Sequence, residues 1–232
     1  MITLLVQAGV LAPERQIQLD QSERQHLRVR RAQEAERVRL LDGFGGTAEG
    51  VVLGNPSDGL VQVSSVSTVP KPAFRGIAVA AGDRDRFGWL VEKSAELGIT
   101  HVLPLETERT RGVGTRVRTP HIGKLQRRAF EGIKQSGSAW APMVHEPMEL
   151  ELFVGREREG VRWLADFGGG VAPSIGATES AWTVIGPEGG FTPDERTRML
   201  QAGWWPVKLG PHILRFETAA LVAAVLMTSH DS

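Results

Sequence analysis

Cysteine is absent from the 232 residues. This excludes disulfides, thiolate metal sites and cysteine nucleophiles. No apolar run approaches the roughly 20 residues of a membrane span. The most apolar stretch, Ala219 to Met227, is far shorter and reads as a buried helix. The opening "MITLLVQAGV" has no basic leading region and is too short for a secretory signal, so the expectation is a cytoplasmic protein with no membrane partner. Lys and Arg number 27, and so do Asp and Glu, so no overall field draws the chain to nucleic acid. Several catalytic signatures are also missing. There is no G-x-x-x-x-G-K-[ST] phosphate loop and no G-x-S-x-G nucleophile turn, and "GFGGTAEG" lacks the G-x-G-x-x-G register. The six histidines, His26, His101, His121, His145, His212 and His230, show no paired spacing, so no metal is expected.

What is present has ordinary globular proportions, 41% hydrophobic and 23% charged. The length suits one large domain, or a small one with a medium one. Residues 1–68 read as β-rich. "RVRLLDGFGGTAEGVVL" is a hairpin pattern around an Asp-Gly turn, and "GLVQVSSVSTV" is a further alternating strand. Pro70 and Pro72 break the pattern. The expected domains are therefore 1–69 and 70–232. Beyond the break, strands alternate with helices, which implies a parallel sheet and an α/β fold. Strands are predicted at 76–81, 100–105, 160–167, 181–186 and 205–210. A helix at 85–98 carries Trp89, Leu90, Ala95 and Leu97 on its apolar side and ends at Gly98. A helix at 119–137 has Thr119 as N-cap and Pro120 at its first position. A helix at 192–203 opens with a capping box of Thr192 and Glu195. The last helix, 216–229, is apolar on every side and so is expected to be buried all round, either in a core or between subunits.

Ligands of open α/β sheets bind beyond the carboxyl ends of the strands. Here "WLADFGGGVAP", "VIGPEGGFTP" and "VKLGPHILRFET" each follow a strand, and all contain glycine. Glycine lets a ligand approach the backbone closely, and three such ends in one domain suit a nucleotide-like ligand. One charged zone also stands out. Between Arg109 and Lys134 lie eight basic residues and a single acid, Glu131, a local charge of +7. It reads either as a solvated helix face and loop or as a phosphate-backbone contact zone.

"GPEGGFTPDE" followed by "LGPHILRFETAALVAAVL" resembles the signature of the bacterial 16S ribosomal RNA uridine-N3 methyltransferases, within the SPOUT superfamily of knotted enzymes. "WLVEKSAELGITHVLPLETERT" and "FEGIKQSGSAWAP" are similar to further segments of that family, and "HLRVRRAQEAERVRLLDGFGG" resembles its amino-terminal PUA-like β-barrel. The resemblance covers nearly the whole chain. It implies a small RNA-binding barrel followed by a trefoil-knotted methyltransferase domain. It further implies S-adenosylmethionine as cofactor, assembly as a homodimer, and methylation of N3 of a uridine near the 3′ end of 16S RNA in the small ribosomal subunit. On this reading the cofactor is held by Leu164, Asp166, Gly186, Pro187, Glu188, Gly189, Gly190, Leu209, Gly210, Ile213, Leu214 and Thr218.

Glu188 is the candidate base or cofactor contact, and Arg215 the candidate for orienting uracil or phosphate. A salt bridge from Arg215 to Glu217 or Glu188 is the purely structural alternative. Arg28, Arg30, Arg109, Arg111, Arg127 and Arg128 are the candidate RNA contacts. The chain departs from the family pattern in its opening "MITLLVQ", in Ser138 after Gln-Ser-Gly, and in His212 before "ILR", where basic residues are usual. Other readings remain: a non-catalytic ribosome-assembly factor that binds RNA, a methyltransferase of the same superfamily acting on another RNA site, and an enzyme that uses the glycine loops for another nucleotide or a phosphate.

Overall fold

A computed structural model describes residues 1–156 and 159–229. The chain forms two units, Met1–Lys71 with Ile133–Ala141, and Pro72–Gly132 with Pro142–Ser232. The first contains β1 (Ile2–Leu5), β2 (Gln16–Gln18), helix α1 (Gln21–Val29), β3 (Arg37–Leu41), β4 (Gly46–Leu53) and β5 (Leu60–Thr68). β3 and β4 are the expected hairpin, with Arg37 opposite Val51 and Leu41 opposite Thr47. Asp42 fixes the turn because its Oδ1 accepts the Phe44 and Gly46 N–H groups at 2.7 and 2.8 Å. The five strands run in the order β1-β3-β4-β5-β2, with β1 parallel to β3. Among the described residues no ladder joins β1 to β2, so the pairing itself is that of an open mixed sheet rather than a closed barrel. Leu4, Leu27, Val38, Leu40, Val52 and Val61 form its core. The sequence pattern passes over α1, which Asp20 caps by accepting the Glu23 N–H at 2.9 Å.

Ile133–Ala141 carries the "QSGSAW" segment into this first unit. Gly45 N donates to Ala139 O, Ala141 N to Gly43 O, and Trp140 Nε1 to Val69 O. Lys134 and Glu23 form a nearly buried ion pair at 2.8 Å. Ser138, the departure from the basic residue usual there, closes a turn through its hydroxyl, which donates to Trp140 O at 3.1 Å.

The second unit is the expected parallel α/β sheet. Its elements are β6 (Arg75–Val79), α2 (Arg84–Glu96), β7 (His101–Glu106), α3 (Ile122–Ser136), β8 (Met143–Val144), β9 (Met148–Glu149), α4 (Leu150–Val154), β10 (Val161–Gly170), β11 (Ala181–Ile185), α5 (Pro193–Gln201), β12 (Trp205–Val207) and α6 (Phe216–Thr228). The order is β12-β10-β11-β6-β7-β8, and every pairing is parallel. β6 and β11 are buried on both faces, as sheets covered by helices on each side require. Ile77 and Val79 pack with α2 and α6 residues, while Ala78, Val184 and Trp182 pack with Phe153 and Met199 on the other face. No described helix is long and apolar enough to cross a membrane.

The structure sets the buried faces of two helices and shifts the start of a third. On α2 the buried face is Phe87, Leu90, Val91, Ser94 and Ala95, while Trp89 is exposed. Trp89 stands 100° or more from Phe87 and Val91 around the helix, so the core takes those and leaves the indole outside. The turn before α3 is a 3-10 turn over Thr119–His121, with Arg118 rather than Thr119 as its N-cap. His121 Nδ1 accepts the Arg118 N–H at 3.0 Å, which moves the start back by one residue. On α6, Phe216, Ala219, Ala220, Ala223, Ala224 and Met227 are buried, but Val225 and Leu226 are 48% and 38% exposed. The single chain covers the small-residue face of α6 and not the bulkier one.

Candidate active site

The ends of β10, β11 and β12 lie side by side, since Leu164 pairs with both Val184 and Pro206. The glycine-bearing segments that follow them enclose a cavity of about 400 Å³, within the range usual for small-molecule sites. Leu164, Ile185, Leu209, Leu214, Phe216 and Ala219 give it apolar walls. Gly186, Pro187, Gly189, Gly190 and Gly210 contribute backbone, and Asp166 and Glu188 contribute carboxylates. Ile213 lines the rim and is 83% exposed. His212, at the third departure, also lines it.

The turn after β11 is tight. Gly190 N donates to Pro187 O at 2.7 Å, and Gly190 has a φ of +71°, which favours glycine. A methyl group on Gly186 would sit 3.1 Å from the Phe191 ring, so this glycine also makes room for a neighbour within the protein. The predicted capping box then starts α5. Thr192 Oγ1 accepts the Glu195 N–H, and Glu195 Oε2 accepts the Thr192 N–H at 2.9 Å. Glu195 is buried, and its other oxygen accepts the Glu108 N–H at 2.9 Å. That bond ties the loop after β7 to the loop after β11.

Arg109 follows directly. A methyl group on Gly189 would lie 3.3 Å from Arg109 Cδ, and one on Gly82 would lie 3.6 Å from both Glu188 Oε2 and Val113 Cγ1. The loops after β6, β7 and β11 therefore meet around Glu188. Both Glu188 and Arg109 are exposed, and Arg109 makes no ion pair among the described residues.

Arg215 and Thr218 are not in the cavity wall. Phe216 and Ala219 face it, and at 3.6 residues per turn the residues just before each of them are turned about 100° away. Arg215 is the exposed N-cap of α6. The alternative salt bridge is not made: Glu217 faces Arg86 at 3.6 Å, and Arg215 has no ion pair among the described residues. The basic zone is half neutralised in space. Arg111, Arg116, Arg128 and Lys134 face Glu149, Glu106, Glu92 and Glu23 respectively. Arg109, Arg118, Lys124 and Arg127 have no such partner among the described residues. Arg28 and Arg30 are exposed at the end of α1. Sequence reasoning missed Arg196, Phe167 and Phe191 in the cavity wall. Arg196 lies one turn into a helix, where nothing in the local pattern marks it. No cluster of three or more His, Asp or Glu that could hold a metal occurs among the described residues.

Residues 70–228 match the model of the RNA methyltransferase domain family. The ribosomal RNA small subunit methyltransferase E of Synechocystis is 33% identical over 214 residues, 84% of this chain and 67% of that protein. Its counterpart from Mycobacterium tuberculosis is 31% identical over 209 residues, 84% of this chain and 79% of that one. The crystal structure of the Neisseria gonorrhoeae enzyme of the same name, bound to S-adenosyl methionine, superposes with a TM-score of 0.86 at 23% identity, covering 99% of this chain and 97% of that one. With its family domain matched from Pro70 onward and these relatives spanning most of its length, the chain belongs to the ribosomal RNA small subunit methyltransferase E family.

Proposed function

We propose that this protein transfers a methyl group from S-adenosylmethionine to N3 of a uridine in the 16S RNA of the small ribosomal subunit. The carrying observation is the cavity at the ends of β10, β11 and β12, with apolar walls, glycine-lined backbone and the Glu188 carboxylate at its mouth. The residues present fit the cofactor. Leu164, Leu209 and Leu214 would pack on adenine, and the backbone around Gly186 and Gly210 would hydrogen-bond its edges. S-adenosylmethionine supplies a methyl group activated on a sulfonium.

The chain's own residues then have two tasks. One is to hold uracil in line, and positioning alone supplies much of the rate in such displacements. Arg109 and Arg215, both exposed and free of ion pairs among the described residues, would orient it through carbonyl oxygen or phosphate. The other task is to accept the N3 proton, for which Glu188 is the candidate; a positioned base contributes about 10²–10⁴-fold.

The first unit serves as a PUA-like RNA-binding domain, supported by exposed Arg28 and Arg30. A trefoil knot belongs to this reading, and the return of the chain from β12 at the sheet edge to α6, which packs against β6 and β11, is compatible with it. Two chains pair along the exposed side of α6, supported by Val225 and Leu226. The test uses small subunits from cells lacking this gene, methyl-labelled S-adenosylmethionine and nucleoside analysis of the digested RNA. Label in N3-methyluridine at one site is expected. Label in another nucleoside moves the target, and absence of both label and cofactor binding returns the chain to a non-catalytic assembly factor.

A further inference from the structure

The cavity wall contains an ion pair between Asp166, already among the expected cofactor contacts, and Arg196, which was not. Arg196 Nε donates to Asp166 Oδ2 at 2.5 Å, and Asp166 Oδ1 accepts the Gly168 N–H at 2.8 Å. Both side chains line the cavity, Asp166 at 17% exposure and Arg196 at 45%. The aspartate is thus set by its own turn at the end of β10. The arginine holds it through Nε alone, and Nη1 and Nη2 make no hydrogen bond among the described residues. A guanidinium that served only to neutralise a carboxylate would favour the two-pronged arrangement. Here the terminal donors stay open to solvent or to a ligand in the cavity.

We propose that Asp166 and Arg196 together recognise the amino-acid end of S-adenosylmethionine, Asp166 taking the α-ammonium and Arg196 the α-carboxylate. The proposal rests on the cavity being the cofactor pocket. Formal charge supports it. The wall carries two negative groups, Glu188 and Asp166, and one positive group, Arg196. The cofactor carries two positive groups, sulfonium and ammonium, and one negative group, carboxylate. A zwitterion placed against an aspartate–arginine pair gives each charge a partner of opposite sign. The planar donor pair of arginine matches a carboxylate in a way lysine cannot.

The experiment is calorimetric binding to the full chain with three ligands. S-adenosylmethionine has both charged ends, its decarboxylated analogue keeps the ammonium only, and 5′-methylthioadenosine has neither. Wild type should bind S-adenosylmethionine about tenfold or more tighter than the decarboxylated analogue, as expected for charge-assisted hydrogen bonds. Arg196→Met should abolish that preference and leave 5′-methylthioadenosine unaffected. Asp166→Asn should weaken both amino-bearing ligands. Should Arg196→Met fail to fold, Arg196→Lys should lower the preference several-fold. A preference that survives Arg196→Met or Arg196→Lys unchanged overturns the proposal, as does an equal loss for all three ligands. If wild type binds none of the three, the cofactor reading of the cavity falls with it; if it binds all three alike, only the present inference does.

Discussion

Arg75 is fully buried at the start of β6, and its guanidinium is used on backbone carbonyls. It donates to Met227 O at 2.8 Å, Gly176 O at 3.1 Å, Ala177 O and Phe74 O at 3.2 Å, and to Glu179 O. One side chain thus closes the last turn of α6 and pins the 176–179 loop. An ammonium has three donors and no fork. Arg75→Lys should therefore cost about 3 kcal/mol or more, since each buried carbonyl left without a donor costs about 1–3 kcal/mol; urea unfolding followed by circular dichroism measures it. Glu188 and Arg215 call for a different test, because both are exposed and neither holds the fold. Glu188→Gln should lower kcat by about 10²-fold or more and, because it removes the negative partner of the sulfonium, should also weaken cofactor binding. Arg215→Ala should lose most activity with the unfolding midpoint unchanged, and full activity would remove Arg215 from the mechanism.

Helix α5 links stability to the site. Its capping box satisfies two donors at the start of the helix, and Glu195 adds a third bond to Glu108 of the neighbouring loop. Thr192→Ala should cost about 1 kcal/mol, the usual value of an N-cap. Glu195→Ala should cost more than Thr192→Ala and should also free the Thr107–Thr110 turn that carries Arg109. Hydrogen exchange at Glu108 N should accelerate in Glu195→Ala and not in Thr192→Ala. Equal exchange in the two variants would mean that the loop is held by its own threonine bonds.

Across the whole molecule, the exposed side of α6 and the half-buried His145 each have a consequence. If two chains pair along α6, Leu226→Asp should convert the dimer to a folded monomer by sedimentation, and an unchanged dimer would move the interface elsewhere. His145 stacks on His101 with centroids 5.2 Å apart, and its Nε2 is buried with no hydrogen-bond partner among the described residues. Burial pushes its pKa below the ordinary 6.5. The unfolded chain then binds this proton more readily than the folded one, so stability rises with pH. The contribution is full above about pH 6.5 and is lost as pH falls toward the lowered value. His145→Gln should flatten that part of the stability profile; an unchanged slope in urea unfolding between pH 5 and 7, roughly the range where histidine titrates, would exclude His145.

Local chemistry determined much of this protein from sequence alone. The Asp42-Gly43 turn, the Thr192–Glu195 capping box and the alternation of strands with helices each depend on neighbours in the chain, so their patterns are readable. The glycine-bearing strand ends were legible for the same reason, because a parallel sheet must bring its carboxyl ends to one side. Tertiary structure decided whatever depends on partners distant in sequence. It set Arg196 beside Asp166, turned Thr218 out of the cavity wall, and gave half of the basic zone acidic partners. It also assigned the "QSGSAW" segment to the first unit, through hydrogen bonds from this stretch to Gly43, Gly45 and Val69, far away in the sequence. Helical phase and long-range pairing are fixed by what packs against a residue, and a linear pattern carries no record of that.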